Sequence, residues 1–328
     1  MDIQQPLQAR SVAATGASGL IGNATVRLLA DNGWRVIRLS RQHAANRSEG
    51  AHQNPNPVVA HGSPVPDKAY WNPATGELDR SKVEGLDAFI HLAGESIMGR
   101  WTAAKKQGIR DSRVAATKLL CESLAGLSQP PRVLLCASAV GYYGDGGSQE
   151  LDEDSPAGDG FLADVCRQWE QSCQPARDAG IRVLNLRFGM VLSGSGGALK
   201  QMLLPFKLGL GGPIGGGQQY ISWITLADVA QAILHLLTAA SVDGPVNLTA
   251  PHPVTNREFS RTLGKALRRP AVLPLPAFAV KALLGEMGTT LLLSSQRVLP
   301  RQLLDSGYQF KHSTLAEGLR AELSKPSS

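Results

Sequence analysis

Three glycines near the amino terminus have the spacing that lets a protein backbone approach a diphosphate. Gly16, Gly19 and Gly22 form a GxxGxxG turn between an apolar strand and a helix that stops near Gly33. Gly16 permits a sharp exit from the strand, Gly19 leaves room for a ligand, and Gly22 lets the helix pack on the sheet. Free N–H groups and the dipole at the helix start favour a bound anion. A structural glycine turn is the alternative, but a second strand, VIRL, completes the unit typical of a dinucleotide site.

The two residues after that second strand, Ser40 and Arg41, predict which dinucleotide is bound. Sites for NAD usually place an acidic residue here, which accepts hydrogen bonds from the adenosine ribose. A carboxylate would repel a 2′-phosphate, whereas the guanidinium of Arg41 can hold one through two hydrogen bonds. The sequence therefore predicts NADP(H), and the competing interpretation of Arg41 is a solvated surface side chain.

Further strands and helices alternate along the chain. Residues 87–94, DAFIHLAG, have the pattern of a buried strand, and a dinucleotide can lie across its end at Leu92, Ala93 and Gly94. The succession predicts an α/β fold, a doubly wound parallel sheet of the Rossmann type with a smaller, partly helical C-terminal lobe. Other predicted strands lie at 132–138, 181–191 and 246–249, and other predicted helices at 102–124, 161–176, 228–238 and 256–267.

The sequence predicts three parts. Residues 1–10 form a polar leader, 11–191 the NADP(H)-binding domain, and 192–328 a smaller lobe, with a cleft for a small substrate between the last two. Residues 42–68 are rich in Asn, His, Pro and Ser, which predicts a surface loop. Its loosely spaced histidines are interpreted as solvated side chains and not as metal ligands: His43, His52 and His61.

The composition argues against several classes of partner. With 43% hydrophobic and 18% charged residues, the chain resembles an ordinary globular protein. Its net charge of +6 is spread out, with no basic run, so no nucleic-acid partner is expected. No secretory signal and no apolar stretch long enough to cross a bilayer are visible, so no membrane partner is expected. Four cysteines without metal-ligand spacing indicate reduced thiols and a cytoplasmic location.

Several motifs together resemble one known family over nearly the whole chain. They are TGASGLIG, HLAGE, IRDSRV, ASAVGYYGD, DEDSP, LPFKLGLGGPIGGG, SWI followed by Asp228, and the tail SSQRVLPRQLLDSGY. They resemble the atypical extended short-chain dehydrogenase/reductases called the epimerase family, or nucleoside-diphosphate-sugar epimerases. The glycine turn alone would indicate only the superfamily, whereas the glycine-rich segment and the tail are more specific. The resemblance implies a Rossmann fold, NADP(H) binding and a C-terminal lobe, but no particular substrate.

The resemblance also implies a set of cofactor contacts. Arg113 falls where typical extended members carry an Asn on the long helix, and a surface salt bridge is its alternative role. Val191, just past a strand, would face the nicotinamide half of the cofactor. By analogy with extended members, a homodimer would form through the long helix at 102–124. The implied cofactor-binding residues are Gly16, Gly19, Leu20, Ile21, Gly22, Ser40, Arg41, Leu92, Ala93, Gly94, Arg113 and Val191.

The sequence lacks the proton-transfer pair of the wider superfamily. Typical members hold the substrate oxygen with a Ser and use a Tyr as general acid/base, its pKa lowered by a Lys four residues further along a helix. Ser138 lies in the expected place, and capping a turn is its alternative role. The helix that should carry YxxxK reads GFLADVCRQWE. Two pairs in this helix have the four-residue spacing of YxxxK: Phe161 with Val165, and Leu162 with Cys166. Neither pair can transfer a proton as Tyr and Lys do.

Two tyrosines just beyond Ser138, Tyr142 and Tyr143, are the candidate replacements for the missing acid. Packing and loop hydrogen bonds are their alternative role. Three function classes stay open: an NADP(H)-dependent epimerase or oxidoreductase acting on a small hydroxylated or sugar-nucleotide-like substrate, a non-catalytic NADPH sensor, and a structural module. The glycine-dense cleft argues against the third class, and the resemblance favours the first. Further substitutes near the crevice are Glu95, Asp164 and Cys166.

Overall fold

A computed structural model describes residues 10–41 and 67–324 of the chain. Apart from a few flanking residues, the predicted polar leader and the histidine-containing loop lie outside the described residues. In chain order the strands are β1 (Ser11–Thr15), β2 (Arg35–Ser40), β3 (Asp67–Tyr70), β4 (Ala88–His91), β5 (Val133–Ala139), β6 (Glu150–Leu151), β7 (Arg182–Phe188), β8 (Met190–Leu192), β9 (Tyr220–Ile221), β10 (Trp223–Thr225), β11 (Gly244–Leu248), β12 (Val254–Thr255) and β13 (Arg297–Val298).

Seven of these strands form one parallel sheet in the order β11-β7-β5-β4-β1-β2-β3. β4 and β5 are buried almost throughout, because helices cover both faces of the sheet. The chain runs from β1 outward to β3 and then resumes at β4 on the other side of β1. The order therefore reverses between β1 and β4, where open α/β sheets bind ligands at the carboxyl ends of their strands. The predicted fold class is confirmed.

Helices pack on both faces of this sheet. Leu29 and Ile233 belong to the core on one face, and Leu120 and Trp169 belong to the core on the other. The helices are α1 (Leu20–Asp31), α2 (Arg80–Val83), α3 (Ala103–Asp111), α4 (Val114–Ala125), α5 (Phe161–Gln171), α6 (Gln174–Asp178), α7 (Gly197–Lys207), α8 (Leu226–Thr238), α9 (Asn256–Leu267), α10 (Ala277–Gly288), α11 (Arg301–Asp305) and α12 (Leu315–Leu323), with a 3₁₀ turn at Val140–Tyr143 and a π-helical turn at Thr289–Leu293.

Each of the two long helices predicted from the sequence is broken into two. Between α3 and α4, the carbonyl of Ile109 accepts hydrogen bonds from the Ser112 hydroxyl at 3.1 Å and the Arg113 guanidinium at 3.2 Å. These side chains replace the regular backbone partner of that carbonyl. Between α5 and α6, Pro175 has no N–H with which to continue the helix.

The polypeptide leaves the large sheet after β7 and later returns to it. The predicted strand at 181–191 ends at Phe188, and after Gly189 the chain enters β8, which pairs with β10. α8 then packs against α1, and β11 pairs with β7. Residues 226–248 thus lie in the sheet layer, although they were expected in the smaller lobe. The remaining lobe has a core that includes Trp223 and Phe259.

The carboxylate of Asp228 joins the C-terminal tail to α8. Asp228 is fully buried, and one of its oxygens accepts from the Tyr308 hydroxyl at 3.1 Å and the Lys311 N–H at 2.7 Å. The other oxygen accepts from the Thr225 hydroxyl at 2.7 Å and the His312 N–H at 3.1 Å. A buried charge with this many donors is well satisfied, and removing it would leave the donors without an acceptor.

We expect Asp228→Asn to lower the free energy of unfolding by about 3 kcal/mol, because an amide nitrogen would face groups that themselves donate. Urea unfolding followed by circular dichroism measures this loss. Asp305→Asn is the matched control, since that side chain is 72% exposed and its contact with Arg301, at 3.9 Å, is long for an ion pair. It should cost less than about 0.5 kcal/mol. Equal losses in the two variants would contradict the role assigned to Asp228.

Candidate cofactor and catalytic site

The glycine turn is pressed against the end of β4. Gly16 has a φ of 66°, and a Cβ on it would lie 2.7 Å from the carbonyl carbon and oxygen of Leu92 and 2.8 Å from the nitrogen of Ala93. A Cβ on Gly22 would lie only 2.2 Å from the carbonyl oxygen of Gly16. Real Cβ atoms do not make such contacts, so the turn requires glycine at both positions. A Cβ on Gly19 would meet only the Gly16 oxygen, at 3.3 Å, and otherwise point into open space.

The first turn of α1 presents its backbone N–H groups without a cap. The N-cap residue is Gly19, which has no side chain, and the first turn contains no acidic residue. The N–H groups of Leu20, Ile21 and Gly22 have no partners within the helix by geometry. Together with the helix dipole they can hold an anion, as the glycine spacing predicts.

Ser40 and Arg41 lie beside the glycine turn at the end of β2. The register of the sheet pairs Ala14 with Arg38, which brings Ser40 level with Gly16. Both Ser40 and Arg41 are exposed. An adenosine ribose whose diphosphate lies on the glycine turn would extend toward these two side chains.

Arg113, predicted from the family resemblance, lies against Gly94. A Cβ on Gly94 would be 3.5 Å from the guanidinium carbon of Arg113. The guanidinium lies 5.2 Å from the centre of the Trp169 ring and donates to the Glu95 carbonyl at 3.0 Å. Burial lowers the pKa of Arg113. The break between α3 and α4 thus places a half-buried cation beside the end of β4, and the Glu95 carboxylate next to it is paired with Lys105 at 2.6 Å.

Val191 and Leu20 come together on the other side of the crevice. A Cβ on Gly196 would lie 3.3 Å from the side chain of Leu20, and one on Gly197 would lie 3.7 Å from the carbonyl oxygen of Val191. Ile21 and Val191 are half-buried at the margin of the same core. The residues implied as cofactor contacts therefore converge at the carboxyl ends of the strands, and their individual contacts with a cofactor stay predictions.

Ser138 faces α5 in a buried ionic network. Its hydroxyl donates to the Glu170 carboxylate at 2.7 Å, and the residue is only 2% exposed. The same carboxylate accepts two hydrogen bonds from the Arg187 guanidinium, at 2.8 and 2.9 Å. Burial alone would lower the pKa of Arg187, but the hydrogen bonds and charge of Glu170 raise it above its ordinary value. A substrate contact at Ser138 stays a prediction, and it would require this network to open.

The two candidate tyrosines have different environments. The Tyr143 hydroxyl donates to the Asn247 side chain at 2.8 Å and accepts from Arg187 at 2.8 Å, and burial raises its pKa above the ordinary value. Tyr142 is half-buried, and the Arg187 guanidinium lies 3.6 Å from the centre of its ring. Within the described residues, no hydrogen bond to the Tyr142 hydroxyl is found. Only Tyr142 therefore has a hydroxyl that is free to serve a substrate without breaking an internal bond.

The positions that would carry Tyr and Lys pack against the turn that follows β5. A Cβ on Gly141 would lie 3.5 Å from the Leu162 side chain and 3.9 Å from the Cys166 sulfur. Burial raises the pKa of Cys166 to about 12, so its thiol stays protonated at neutral pH. This face of α5 supplies packing and no proton carrier.

The four cysteines are free and buried, as predicted. In the described ranges, no group of three or more His, Cys, Asp and Glu side chains is arranged to hold a metal ion. No helix in the same ranges is both long and apolar enough to cross a bilayer.

Comparison with known proteins identifies the family of this chain. The model of the NAD-dependent epimerase/dehydratase family matches residues 12–248, and a domain of unknown function (DUF1731) matches residues 275–322. The chain belongs to the NAD-dependent epimerase/dehydratase family. It is 40% identical over 317 residues to an epimerase family protein of Mycobacterium leprae, with 96% of each chain covered.

Two solved structures of similar proteins have the same fold. A crystal structure of the human epimerase family protein SDR39U1 with NADPH has a TM-score of 0.82 and 35% identity, covering 96% of this chain and 100% of that one. A nucleoside-diphosphate sugar epimerase from Corynebacterium glutamicum has a TM-score of 0.74 and 34% identity, covering 96% of this chain and 58% of that one. The resemblance inferred from the motifs is confirmed.

One functional feature of this epimerase/dehydratase family member was missed from the sequence. The pairing of Glu170 with Arg187 fixes Ser138 and Tyr143, yet it joins a helix to a strand 17 residues further on, a contact that no periodic pattern of the sequence indicates. The available signal was Arg187 itself, a cation between the apolar residues Leu186 and Phe188 of a predicted buried strand. A buried arginine needs a carboxylate partner, and α5 offers Glu170 on its buried side.

We expect Gly19→Val to fold normally but to lose dinucleotide binding, because its side chain would project into the space that a diphosphate needs. Thermal melting and a fluorescence titration with NADPH measure the two properties separately. Gly216→Val is the matched control, since a Cβ there meets nothing within 4 Å, and it should leave both unchanged. Unchanged NADPH affinity in Gly19→Val would remove the glycine turn from the cofactor site.

Proposed function

We propose that this protein binds NADP(H) across the carboxyl end of its sheet and uses it as an epimerase or oxidoreductase on a small hydroxylated or sugar-nucleotide-like substrate. The observation that carries the proposal is the uncapped first turn of α1 over a glycine turn that has no room for side chains at Gly16 and Gly22 and open space at Gly19. The human relative solved with NADPH and the corynebacterial relative described as a nucleoside-diphosphate sugar epimerase support it.

The residues at the crevice fit the two ends of the proposed cofactor. The glycine turn and the N–H groups of Leu20 and Ile21 would hold the diphosphate, and Ser40 with Arg41 would hold the 2′-phosphate. Arg113, half-buried beside Gly94, adds a positive charge to the same crevice. When bound, the nicotinamide would supply or accept a hydride, and the protein must then supply or accept the matching proton.

Tyr142 is the best candidate for this proton transfer. Its hydroxyl has no internal partner among the described residues, and it lies in the 3₁₀ turn directly after β5, where the carboxyl ends of the strands meet the crevice. The Tyr143 hydroxyl, by contrast, is held by Asn247 and Arg187. Tyr142 would act as general acid/base, and Tyr143 would fix the turn that carries it.

We expect Arg41→Asp to weaken NADPH binding by about 30-fold or more while changing NADH binding little, because the new carboxylate repels only the 2′-phosphate. Isothermal titration calorimetry with both cofactors measures the difference. Arg100→Asp, at an exposed arginine of the loop after β4, is the control for a change of net charge. Equal losses for NADPH and NADH would show that Arg41 does not recognise the phosphate.

We expect Tyr142→Phe to abolish turnover, measured as NADPH oxidation with a panel of carbonyl compounds and sugar nucleotides, without changing NADPH affinity. Tyr143→Phe should instead lower the free energy of unfolding by about 1–2 kcal/mol, since it removes the hydrogen bond that the Asn247 side chain accepts and one of those that Arg187 donates. If the protein binds NADPH tightly but oxidises it with no compound of the panel, and neither variant changes NADPH oxidation or affinity, the result would favour a sensor over an enzyme.

A further inference from the structure

Two stretches of the C-terminal lobe lie side by side and form one surface. The Arg269 guanidinium donates to the Lys207 carbonyl at 2.9 Å. The Leu273 N–H then donates to the Gly211 carbonyl at 3.2 Å, and a Cβ on Gly212 would lie 2.0 Å from the Leu273 oxygen. Residues 207–213 and 269–275 are therefore in tight contact, and α10 begins directly after the second stretch.

This surface concentrates the exposed large apolar side chains of the described chain. Eight of the ten such side chains lie within residues 204–210 and 272–283, and the other two are Met98 and Leu304. They project from the surface, since their exposed fractions reach 73% at Val272, 76% at Phe278 and 77% at Leu283. Several side chains this exposed on adjoining segments normally mark an interaction site.

The charges within the two stretches that carry these side chains are all positive. Residues 196–227 and 259–285 contain no Asp or Glu. Within the described parts of the chain, the cations of these two stretches form no ion pair. A cavity of about 330 Å³ beside Val272 is lined by four of these cations. The cations of the two stretches are Lys200, Lys207, Arg261, Lys265, Arg268, Arg269 and Lys281.

We propose that this surface, residues 204–213 with 261–283, docks the protein onto an anionic lipid bilayer. The projecting side chains of Val272, Phe278 and Leu283 would enter the interfacial region, while the cations contact lipid phosphates. Burial of such side chains in a second copy of the chain would bring unpaired cations together. A peptide seated in the cavity beside Val272 would leave Phe278 and Leu283 exposed, since neither of them lines it. The sequence argued against a membrane partner because nothing can span a bilayer, but surface docking needs no spanning segment.

Vesicle flotation of the full-length protein tests this proposal. We expect binding to vesicles of phosphatidylcholine with about 30% phosphatidylglycerol, little binding to pure phosphatidylcholine, and a loss of about tenfold or more between low and high salt. Equal binding to neutral vesicles, or no binding to either, would overturn the proposal.

Matched variants separate the surface from non-specific attraction. The double variant Phe278→Ser with Leu283→Ser should weaken binding about tenfold or more, and Lys265→Gln about fivefold. The controls Leu304→Ser and Lys118→Gln, at exposed positions elsewhere, should change nothing. All four proteins should keep the thermal melting temperature of the parent, since the replaced side chains are exposed.

Two outcomes would assign the surface to another occupant and so overturn the proposal. The first is self-association in sedimentation velocity without lipid that Phe278→Ser with Leu283→Ser abolishes, which would identify a second copy. The second is salt-sensitive binding to polyglutamate as strong as to vesicles and independent of those two side chains, which would identify an acidic polypeptide. Vesicle binding that none of the variants alters would place the contact elsewhere on the protein.

Discussion

The close packing of the glycine turn on the end of β4 is the constraint on which the rest of the structure depends. Atoms of Gly16 and Leu92 occupy the space that side chains on Gly22 and Gly16 would need. This contact holds β1 and β4 together at the point where the strand order reverses. It also sets the N-terminus of α1 over the carboxyl end of the sheet, where an anion is favoured. The same backbone contacts between the glycine turn and β4 therefore stabilise the sheet and form the crevice, and the proposed cofactor site follows from the packing of the sheet.

Local patterns in the sequence were sufficient to predict the parallel sheet, the glycine turn, and the position of the ends of β2 and β4 beside that turn. α9 begins and ends where it was predicted, because its apolar spacing and its Thr255 cap are local signals. The break before Arg113 could not be predicted, since it depends on side chains competing for the Ile109 carbonyl. The return of the chain to the sheet at β11 was also missed, because pairing with β7 is a long-range contact and the glycine-dense segment between them resembles the start of a new lobe.

The loss of the YxxxK pair affects the proton chemistry and leaves the proposed cofactor crevice intact. Leu162 and Cys166 take the pair's spacing on α5 and pack against the turn at Gly141. The polar groups nearby are engaged in holding Arg187, a cation that could not be buried without the Glu170 carboxylate. This explains why residues of the right chemical type, Ser138 and Tyr143, are not free in the structure, and why the sequence alone could not distinguish them from Tyr142.

The edge strand β11 comes last in the sequence among the seven strands of the sheet. This order affects synthesis of the chain and the design of fragments. During translation β7 is synthesised before β11. Until β11 is made, the edge of β7 has no pairing strand at Leu184 and Leu186. A fragment cut after residue 191 would keep the glycine turn but expose this edge to other strands. It would tend to aggregate, whereas a fragment that extends through Leu248 would carry its own edge strand.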